Sequence, residues 1–371
     1  MPWNSWSRSL MDRSERSVVE PVQAVMLLAV GLLGGLVADR VGLPAGLTVG
    51  ALISTGIYRL AGGEADLWRG RYGRLGRLLL GAVIGSTFGP DVIAPIRAAV
   101  LPMLAIIAVL VGAGVIMGWL LSRFTRLDIS TALMSATPGG LPAMASMSEE
   151  LGIGAVVVAT IHFFRLTTIL LVVPLLVPLL DVTSGTPAVL VDPIPAVGPG
   201  ATVATLLVAA AGGLLAVRLR VITGDLVGGM LVLGGANLLG LGLGPLHSVF
   251  RQSAVMLVGV SVGAQMSWES LRQVRDVAPI AAGVIVTMIA LGLLLGWGLW
   301  QVTPLDLPTA LLCSVPGGAS NMPAVAHDLG ADMRLVAALH LLRQLVVMVV
   351  IPVALGHLLR RWDRERPIRN G

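Results

Sequence analysis

The chain of 371 residues is 56% hydrophobic and only 12% charged, with a net charge of +5 and a mean hydropathy of +0.89. A soluble domain carries about a quarter charged residues, so this composition excludes a soluble enzyme, a disordered protein and a nucleic-acid binder. It indicates an all-α polytopic membrane protein, and the single Cys, Cys313, excludes an internal disulfide and a Cys-based metal site.

Residues 1–19 form a polar segment that carries Arg8, Arg13 and Arg16 ahead of a hydrophobic run that begins near Val22. A basic leader before an apolar run is typical of a signal peptide. The leader is long for that role, and the run ends inside a repeated pattern, which favours a first membrane helix. We therefore expect residues 1–19 to be a cytoplasmic segment.

A single offset, the one that aligns Pro138 with Pro316, relates the two halves of the chain without gaps. The matches at this repeat offset include Pro138-Gly139-Gly140 with Pro316-Gly317-Gly318, and His162 and Arg165 with His340 and Arg343. So many matches in one register indicate an internal duplication. Repeat 1 covers 20–180, repeat 2 covers 200–358, and the stretch 181–199 is predicted to be a linker.

Each repeat contains five apolar spans and one segment of a different character. In repeat 1 the predicted spans are 20–38, 44–62, 75–95, 98–120 and 153–180. In repeat 2 they are 200–217, 221–240, 253–270, 278–300 and 333–356, and an Arg-rich cytoplasmic tail follows at 359–371. The odd segments, 129–150 and 307–328, carry Pro-Gly-Gly in the middle. Each either crosses the membrane as a broken helix or enters and returns as a re-entrant hairpin.

The positions of the arginines distinguish these alternatives, because cytoplasmic loops are enriched in basic residues. With both odd segments re-entrant and the N-terminus in the cytoplasm, 19 arginines face inside and 4 face outside. With both segments crossing, the tally is 16 inside and 7 outside. The re-entrant arrangement is favoured, and its five crossings per repeat place the two repeats in opposite orientations with both termini in the cytoplasm. An inverted repeat indicates a secondary transporter with its site between the repeats.

Pro-Gly-Gly within a membrane segment predicts a break in the helix. Pro138 and Pro316 cannot continue a helix without the loss of a backbone hydrogen bond, and the following glycines permit left-handed backbone or close approach of a ligand. Non-helical backbone at membrane depth must be buried in protein or line a wet cavity. We expect Asp128 and Asp306 to cap the first half-helices, and the N–H groups of the second half-helices to attract an anion. A Pro-kinked helix packed through glycine is the alternative.

Arg165 and Arg343 each lie in an apolar span three residues after a His, which places both groups on one helix face. A charge at membrane depth is costly, and Arg is suited to bidentate binding of a carboxylate or phosphate. The arginines either bind an anion in the cavity, or lock each hairpin to its surroundings, or pair with the carboxylates Glu149, Glu150 or Asp328.

His162 and His340 either relay protons, since His titrates near neutral pH, or fill packing positions. The predicted substrate-binding residues are Pro138, Gly139, Gly140, Pro316, Gly317, Gly318, Ser320, Asn321, His162, Arg165, His340 and Arg343. Five His in the whole chain leave little room for a metal cluster, so neither a metal nor another cofactor is predicted. The sequence has no pattern of nucleophile, His and acid, and we predict that the protein is not an enzyme.

The two hairpin motifs resemble those of the AbrB family of duplicated bacterial integral membrane proteins. The motifs read Thr-Pro-Gly-Gly-Leu-Pro-Ala-Met at 137–144 and Val-Pro-Gly-Gly-Ala-Ser-Asn-Met at 315–322, and each is followed by His-x-x-Arg. The resemblance implies the inherited labels regulator of gene expression and ammonia monooxygenase. The inverted repeat with hairpins is also similar to that of cation/proton antiporters and anion transporters, but the intramembrane Asp-Asp pair of sodium/proton antiporters is missing.

The expected function is secondary transport of a small anionic or zwitterionic solute by alternating access in a bacterial cytoplasmic (inner) membrane. The expected partners are the solute, a coupling ion and the lipid bilayer, without nucleic acid, and family analogy alone suggests a homodimer. A membrane sensor that affects gene expression indirectly is the alternative, and a subunit of a membrane oxidase is a further one.

Overall fold

A computed structural model describes residues 23–63, 71–141, 144, 147–148, 153–180, 197–221, 223–273, 275–319 and 321–365. The regular elements of this part of the chain are helices. Repeat 1 contributes α1 (Gln23–Arg40), α2 (Gly46–Leu60), α3 (Arg71–Ser86), α4 (Ile93–Phe124), α5 (Ile129–Ala136) and α6 (Ala155–Leu180). Repeat 2 contributes α7 (Pro199–Arg218), α8 (Gly224–Leu238), α9 (Ser248–Gly263), α10 (Trp268–Gln273), α11 (Ala278–Val302), α12 (Leu307–Ser314), α13 (Met322–Asp328) and α14 (Met333–Glu365).

Several sequence predictions fall outside the described residues. The cytoplasmic segment 1–19 and the candidate site residue Ser320 lie there, as do Glu149 and Glu150. Only the last three residues of the predicted linker, 197–199, are described.

The helix bounds repeat with the offset found in the sequence. Helices α2 and α8 begin and end at positions related by the repeat offset, and so do α5 and α12. Helices α1 and α7 end at repeat-related positions, as do α4 and α11, while α6 and α14 begin at such positions. The internal duplication is therefore present in the fold as well as in the sequence.

The helices pack as two bundles, each built from both repeats. The three-plus-three bundle contains α1, α2 and α3 with α7, α8 and α9, and its main contacts are α2 on α9, α3 on α8, and α7 on α8. The hairpin bundle contains α4, α5 and α6 with α11, α12, α13 and α14. The bundles meet where α13 contacts α2 and α9 and where α14 contacts α3. A space between them therefore has walls from both repeats.

Glycines allow close helix contact in the three-plus-three bundle. A Cβ added at Gly50 would collide with the backbone of Gly34, and one added at the repeat-related Gly228 would collide with the backbone of Gly212. Small residues of this kind let membrane helices approach backbone to backbone. Glycines thus serve helix packing at equivalent positions of both repeats.

Five of the described helices are long and apolar enough to cross a membrane. They are α1, α4 with the turn that precedes it, α6, α7 and α11. Four other predicted spans correspond to helices of 15 or 16 residues, namely α2, α3, α8 and α9. At 1.5 Å per residue these helices extend roughly 22–24 Å, which is short of a hydrocarbon core of about 30 Å. Helix α14 is longer than the last predicted span, 333–356, and continues through Glu365 into the predicted tail. The long apolar helices fit a helical membrane protein.

Asp128 and Asp306 cap the half-helices α5 and α12, as predicted from the sequence. The Asp128 carboxylate accepts a hydrogen bond from the backbone N–H of Thr131 at 2.9 Å, and the Asp306 carboxylate accepts one from Thr309 at 3.0 Å. Both carboxylates satisfy N–H groups that the first turn of a helix cannot pair internally.

We expect Asp306→Ala to lower the free energy of unfolding by about 1 kcal/mol, which is the usual cost of the loss of an N-cap. Asp306→Asn keeps an acceptor oxygen and should remain within a few tenths of a kcal/mol of the parent protein. Unfolding in detergent, followed by the helical circular dichroism signal, measures both changes. An equal loss in the two variants would contradict a capping role.

Candidate functional site

The two Pro-Gly-Gly segments make the same turn at the ends of α5 and α12. The N–H of Gly139 donates to the carbonyl of Thr137 at 2.8 Å, and the N–H of Gly317 donates to the carbonyl of Val315 at 2.8 Å. Helix α5 ends at Ala136 and α12 ends at Ser314, with extended backbone at the next residue. The predicted helix break is therefore confirmed in both repeats.

The glycines at these turns provide space for neighbouring side chains and do not adopt left-handed backbone. Left-handed backbone was one expectation, but the positive-φ glycines of the described chain do not include Gly139, Gly140, Gly317 or Gly318. A Cβ at Gly139 would instead overlap the side chain of Met144, and one at Gly317 would overlap Met322. Space for a neighbouring side chain, rather than backbone conformation, explains the first glycine of each pair.

Arg165 and Arg343 hold the two breaks in place. Nη1 and Nη2 of Arg165 donate to the carbonyls of Thr137 and Gly139, both at 2.8 Å. Nη1 of Arg343 donates to the carbonyl of Val315 at 2.9 Å, and its Nη2 donates to the carbonyl of Gly317 at 2.6 Å. Each guanidinium thus replaces the helical partners that the break removes, which supports the alternative in which the arginines lock the hairpins.

Neither arginine forms an ion pair within the described part of the chain. Arg165 is 5% exposed and Arg343 is 3% exposed, and they bond to backbone carbonyls and, in the case of Arg165, to the ring of His162. Asp328, one of the three carboxylates considered from the sequence, bonds to Thr48 instead. Among the described residues, the two buried positive charges beside the breaks therefore have only neutral hydrogen-bond partners.

The two histidines make different contacts. Nδ1 of His162 accepts from Nη2 of Arg165 at 2.8 Å, so its Nε2 carries the proton and donates to the carbonyl of Met134 at 2.9 Å. His340 contacts the carbonyl of Val336, one turn earlier in its own helix, through Nδ1 at 3.0 Å. His162 therefore supports the arginine and the first hairpin together.

A cavity of about 650 Å³ lies between the two bundles and reaches both Pro-Gly-Gly turns. This volume is within the range of pockets that hold small molecules. Its wall in the hairpin bundle includes Gly139, Gly140, Leu141, Ala159, Thr160, His162, Phe163, Arg165, Leu166, Pro316, Gly317, Gly318, Ala319, Asn321 and Gln344. Its wall in the three-plus-three bundle includes Gly73, Arg77, Val217, Arg220, Val221, Thr223, Gly224, Asp225, Val258, Ser261, Val262 and Gln265.

The cavity is open at one end of the molecule. Its lining at that end includes Val217, Arg220 and Val221, which are exposed, at the end of α7 and beyond it. We call this the mouth end; α3 and α8 begin there. Arg77 and Asp225 form an ion pair at the same end, with Nε of Arg77 2.7 Å from Oδ2 of Asp225. This pair joins repeat 1 to repeat 2 within the three-plus-three bundle.

The deep end of the cavity brings each hairpin against a helix of the other repeat. A Cβ at Gly140 would lie 3.6 Å from the side chain of Gln344 on α14, and one at Gly318 would lie 3.6 Å from Leu166 on α6. Gln344 and Leu166 are themselves repeat-related positions. The same place in the fold therefore carries an amide in one repeat and an apolar side chain in the other.

Most of the predicted site residues meet at this cavity. Gly139, Gly140, His162, Arg165, Pro316, Gly317, Gly318 and Asn321 line it. Pro138, His340 and Arg343 are not among the lining residues; Arg343 is bonded behind the second break, and Pro138 packs on Gly114 of α4. Gln344, Arg77 and Asp225 were missed. Gln344 could have been found as an amide in an apolar run where the other repeat has Leu.

Comparison with known proteins matches the chain over most of its length. A family model described as transition state regulatory protein AbrB matches residues 49–359. A protein of Escherichia coli strain K12 named "Putative regulator AbrB" is 26% identical over 333 residues, which cover 88% of this chain and 92% of that protein. A protein of Bacillus subtilis strain 168, the uncharacterized YhjN, is 24% identical over 348 residues, which cover 88% of this chain and 90% of its own length. The chain belongs to the AbrB family.

Proposed function

We propose that this protein is a secondary transporter of a small organic anion or zwitterion, with the cavity between the two bundles as its binding site. The observation that carries the proposal is the cavity itself, since it lies between the bundles, is open at one end and reaches both helix breaks. Movement of the hairpin bundle against the three-plus-three bundle would then expose the same site at the other end. Such movement around a fixed site is the usual basis of alternating access.

Re-entrant hairpins are supported by hydrogen bonds between the start and the end of each odd segment. The hydroxyl of Thr131, in the first turn of α5, accepts from the N–H of Gly154 at 3.1 Å, immediately before α6. The hydroxyl of Thr309 accepts from the N–H of Asp332 at 2.9 Å, immediately before α14. A segment that crossed the membrane would separate these residues by the thickness of the bilayer.

Inversion of the repeats is supported by the packing of α4 against its repeat-related partner α11. Ile280, in the first turn of α11, packs in a cluster with Leu121, near the end of α4. Met288, two turns farther along α11, packs in a cluster with Ala113 and Met117, earlier in α4. Two helices with this order of contacts run in opposite directions, as repeat-related helices do in an inverted repeat.

The cytoplasm is the proposed location of the mouth end. Arg74, Arg77, Arg218 and Arg220 lie where α3 begins and where α7 ends, and arginines concentrate on the cytoplasmic side of bacterial membrane proteins. The structure would then be the inward-facing state of a protein in the bacterial inner membrane, with both termini in the cytoplasm.

The charge of the site favours an anion. Arg165 and Arg343 place two buried guanidinium groups beside the breaks, and the Arg77–Asp225 pair is neutral overall. Charges interact more strongly across buried protein than across water, so a bound anion would be attracted even though the guanidinium N–H groups are bonded to the hairpins. Asn321 and Gln344 add amide groups that can hydrogen-bond a polar solute.

A ligand screen tests the proposal. Purified protein is heated with small carboxylates, phosphates, amino acids and amines, because a ligand of the native state must raise the Tm. We expect the stabilising compounds to be anions or zwitterions and to be taken up by liposomes that contain the protein.

Gln344→Leu gives this screen a matched variant, since Leu is the residue that the other repeat has at this position. We expect Gln344→Leu to fold normally and to weaken the binding of a stabilising anion by about tenfold, the effect of about 1.4 kcal/mol, a usual net value for one hydrogen bond. Thr287→Val, whose hydroxyl bonds its own helix on an exposed face of α11, is the control. Stabilisation by amines alone would contradict an anion site.

A membrane sensor is the second candidate, and the names of the relatives favour it. The family description and the Escherichia coli relative both carry the word regulator or regulatory. A sensor predicts ligands that raise the Tm in the screen but are not taken up by liposomes. A transporter predicts both binding and uptake, so the two assays together decide between the candidates.

A further inference from the structure

The end of the molecule opposite the mouth is held shut by polar contacts between the bundles. At this closed end α2 and α14 begin and α3 ends. The described lining of the cavity includes Gly73 and Arg77 from the start of α3, whereas Thr87, just past its end, contacts Arg334 instead. Along α3, the distance from Gly73 at the mouth end to Thr87 at the closed end is about 21 Å, at 1.5 Å per residue.

Asp328 is the carboxylate at the centre of the closed end. It lies at the end of α13 in the hairpin bundle and accepts two hydrogen bonds from Thr48 of α2 in the other bundle. The Thr48 hydroxyl donates to its Oδ2 at 2.8 Å, and the Thr48 N–H donates to the same oxygen at 3.2 Å. Hydrogen bonds to an ionised acceptor are shorter and stronger than those to a neutral one, so the charge on Asp328 strengthens this contact.

Asp328 differs in its contacts from Asp91, Asp128, Asp225, Asp306 and Asp332. Asp225 pairs with Arg77 inside one bundle, and Asp91 and Asp332 both pair with Arg334. Asp128 and Asp306 cap helices at exposed positions. Asp328 alone among these joins the two bundles through neutral donors, so its ionisation directly changes the strength of a contact between moving parts.

The mouth end lacks the side chains that donate in the closed-end contacts. The repeat offset places Leu226 at the position of Thr48 and Val156 at the position of Arg334. Both replacements are apolar, so neither can donate a side-chain hydrogen bond to a carboxylate. The hydroxyl and guanidinium contacts are thus specific to one end of the protein and to one of the two conformations expected of an inverted repeat, although the offset places Glu150 at the position of Asp328.

We propose that Asp328 is a pH-sensitive latch, whose protonation releases the closed end. Ionised Asp328 holds Thr48 and keeps the closed end shut; protonation removes the negative charge, weakens both hydrogen bonds and lets the bundles separate there. The proton adds to a carboxylate oxygen from the water at the closed end and returns to that water when the bundles close again, without any other change in bonding. This inference rests on the proposed transport function, for which it supplies a pH-dependent control of the closed end.

Other titratable and charged groups surround α13, and a test must distinguish the effect of their protonation from that of Asp328. On the packed elements and the segments next to them they include Asp39, His162, Arg165, His247, Arg251, Asp306, His327, Asp332, Arg334, His340 and Arg343. His327 precedes Asp328 in the chain, and Asp332 lies just before the next helix. Substitution of these nearest neighbours therefore belongs in the experiment.

The experiment measures which end of the protein is open. In full-length Cys313→Ala protein, Ser261→Cys reports on the cavity at the mouth, and Val83→Cys reports on the repeat-related position, which is 1% exposed. Each protein reacts with a water-soluble maleimide in detergent between pH 5 and pH 8. Each rate is divided by that of the same protein after denaturation at the same pH, which removes the intrinsic pH dependence of the thiol.

The labelling ratio is the normalised rate of Val83→Cys divided by that of Ser261→Cys. We expect this ratio to be at least threefold higher at pH 5 than at pH 8. Asp328→Asn should give the high ratio at every pH, because the amide cannot ionise. Asp328→Glu should keep a pH response, and Thr48→Val should raise the ratio at pH 8. His327→Gln and Asp332→Asn should leave the pH response in place. Size-exclusion profiles confirm that each variant is folded.

Two results would overturn the proposal. One is a ratio that does not change with pH in the parent protein, and the other is a pH response that survives in folded Asp328→Asn protein. Liposome uptake separates this failure from failure of the transport function. If liposomes take up a solute but the labelling ratio does not depend on pH, the role of Asp328 is rejected and transport is retained. If the ratio depends on Asp328 but no solute is taken up, the role of Asp328 is retained and transport is rejected.

Discussion

Arg343→Lys should destabilise the protein more than Arg343→Gln does, although Lys is the residue that preserves the charge. The guanidinium donates to the carbonyls of Val315 and Gly317 at once, and a buried carbonyl left without a donor costs about 1–3 kcal/mol. Gln removes the buried charge and can still bond one carbonyl, so we expect a loss of roughly 2 kcal/mol. Lys keeps the desolvated charge but lacks the planar pair of N–H groups, so we expect a loss of roughly 4 kcal/mol.

Chemical unfolding of both variants in detergent measures these losses. Arg97→Gln, at an exposed position of α4, is the control and should change the free energy of unfolding by less than about 0.5 kcal/mol. The opposite order, with Lys milder than Gln, would mean that charge rather than the two-carbonyl contact is what the fold requires. That order would return Arg343 to the role of an anion-binding group.

Gly228→Ala should be among the most damaging of the small substitutions in the three-plus-three bundle. Its new Cβ would collide with the carbonyl oxygen of Gly212 and with the side chain of Ala216. Because backbone atoms cannot move aside as a flexible side chain can, we expect a loss of about 3 kcal/mol, the upper range for an overpacked core.

Gly235→Ala is the matched control for this substitution. It lies on the same helix, α8, and an added Cβ there has nothing within 4 Å. Ala is the better helix former, so this variant should be neutral or more stable by about 0.5–1 kcal/mol. Unfolding curves of the two proteins measured side by side should therefore move in opposite directions. Equal losses would show that position 228 is sensitive for a reason other than contact with α7.

The features that depend on local chemistry could be predicted from the sequence. Asp128 and Asp306 precede short apolar runs and cap them, and Pro138 and Pro316 mark the places where the helices break. The repeat offset correctly relates the ends of several helices. Each of these follows from hydrogen bonds or steric rules that act over a few residues, or from a direct match between two stretches of the chain.

The contacts that decide the chemistry of the site could not be predicted in this way. The sequence left three partners open for Arg165 and Arg343, and backbone carbonyls 26 and 28 residues away are what they contact. The bonds between Thr48 and Asp328 and between Arg77 and Asp225 join residues 280 and 148 positions apart. Periodicity and composition carry no information about such pairs, because tertiary packing alone brings them together.

The two repeats of the chain differ at many positions, and two of these differences have an energetic consequence in the proposed cycle. Identical repeats would make the two conformations of the proposed cycle mirror each other, with equal populations at rest. Thr48 and Arg334 make polar contacts at the closed end, whereas the repeat-related residues, Leu226 and Val156, have apolar side chains. These side-chain contacts are therefore available in only one of the two conformations. Every 1.4 kcal/mol of such difference shifts the ratio of populations about tenfold. In the proposed cycle, these differences between the repeats therefore favour one of the two conformations at rest.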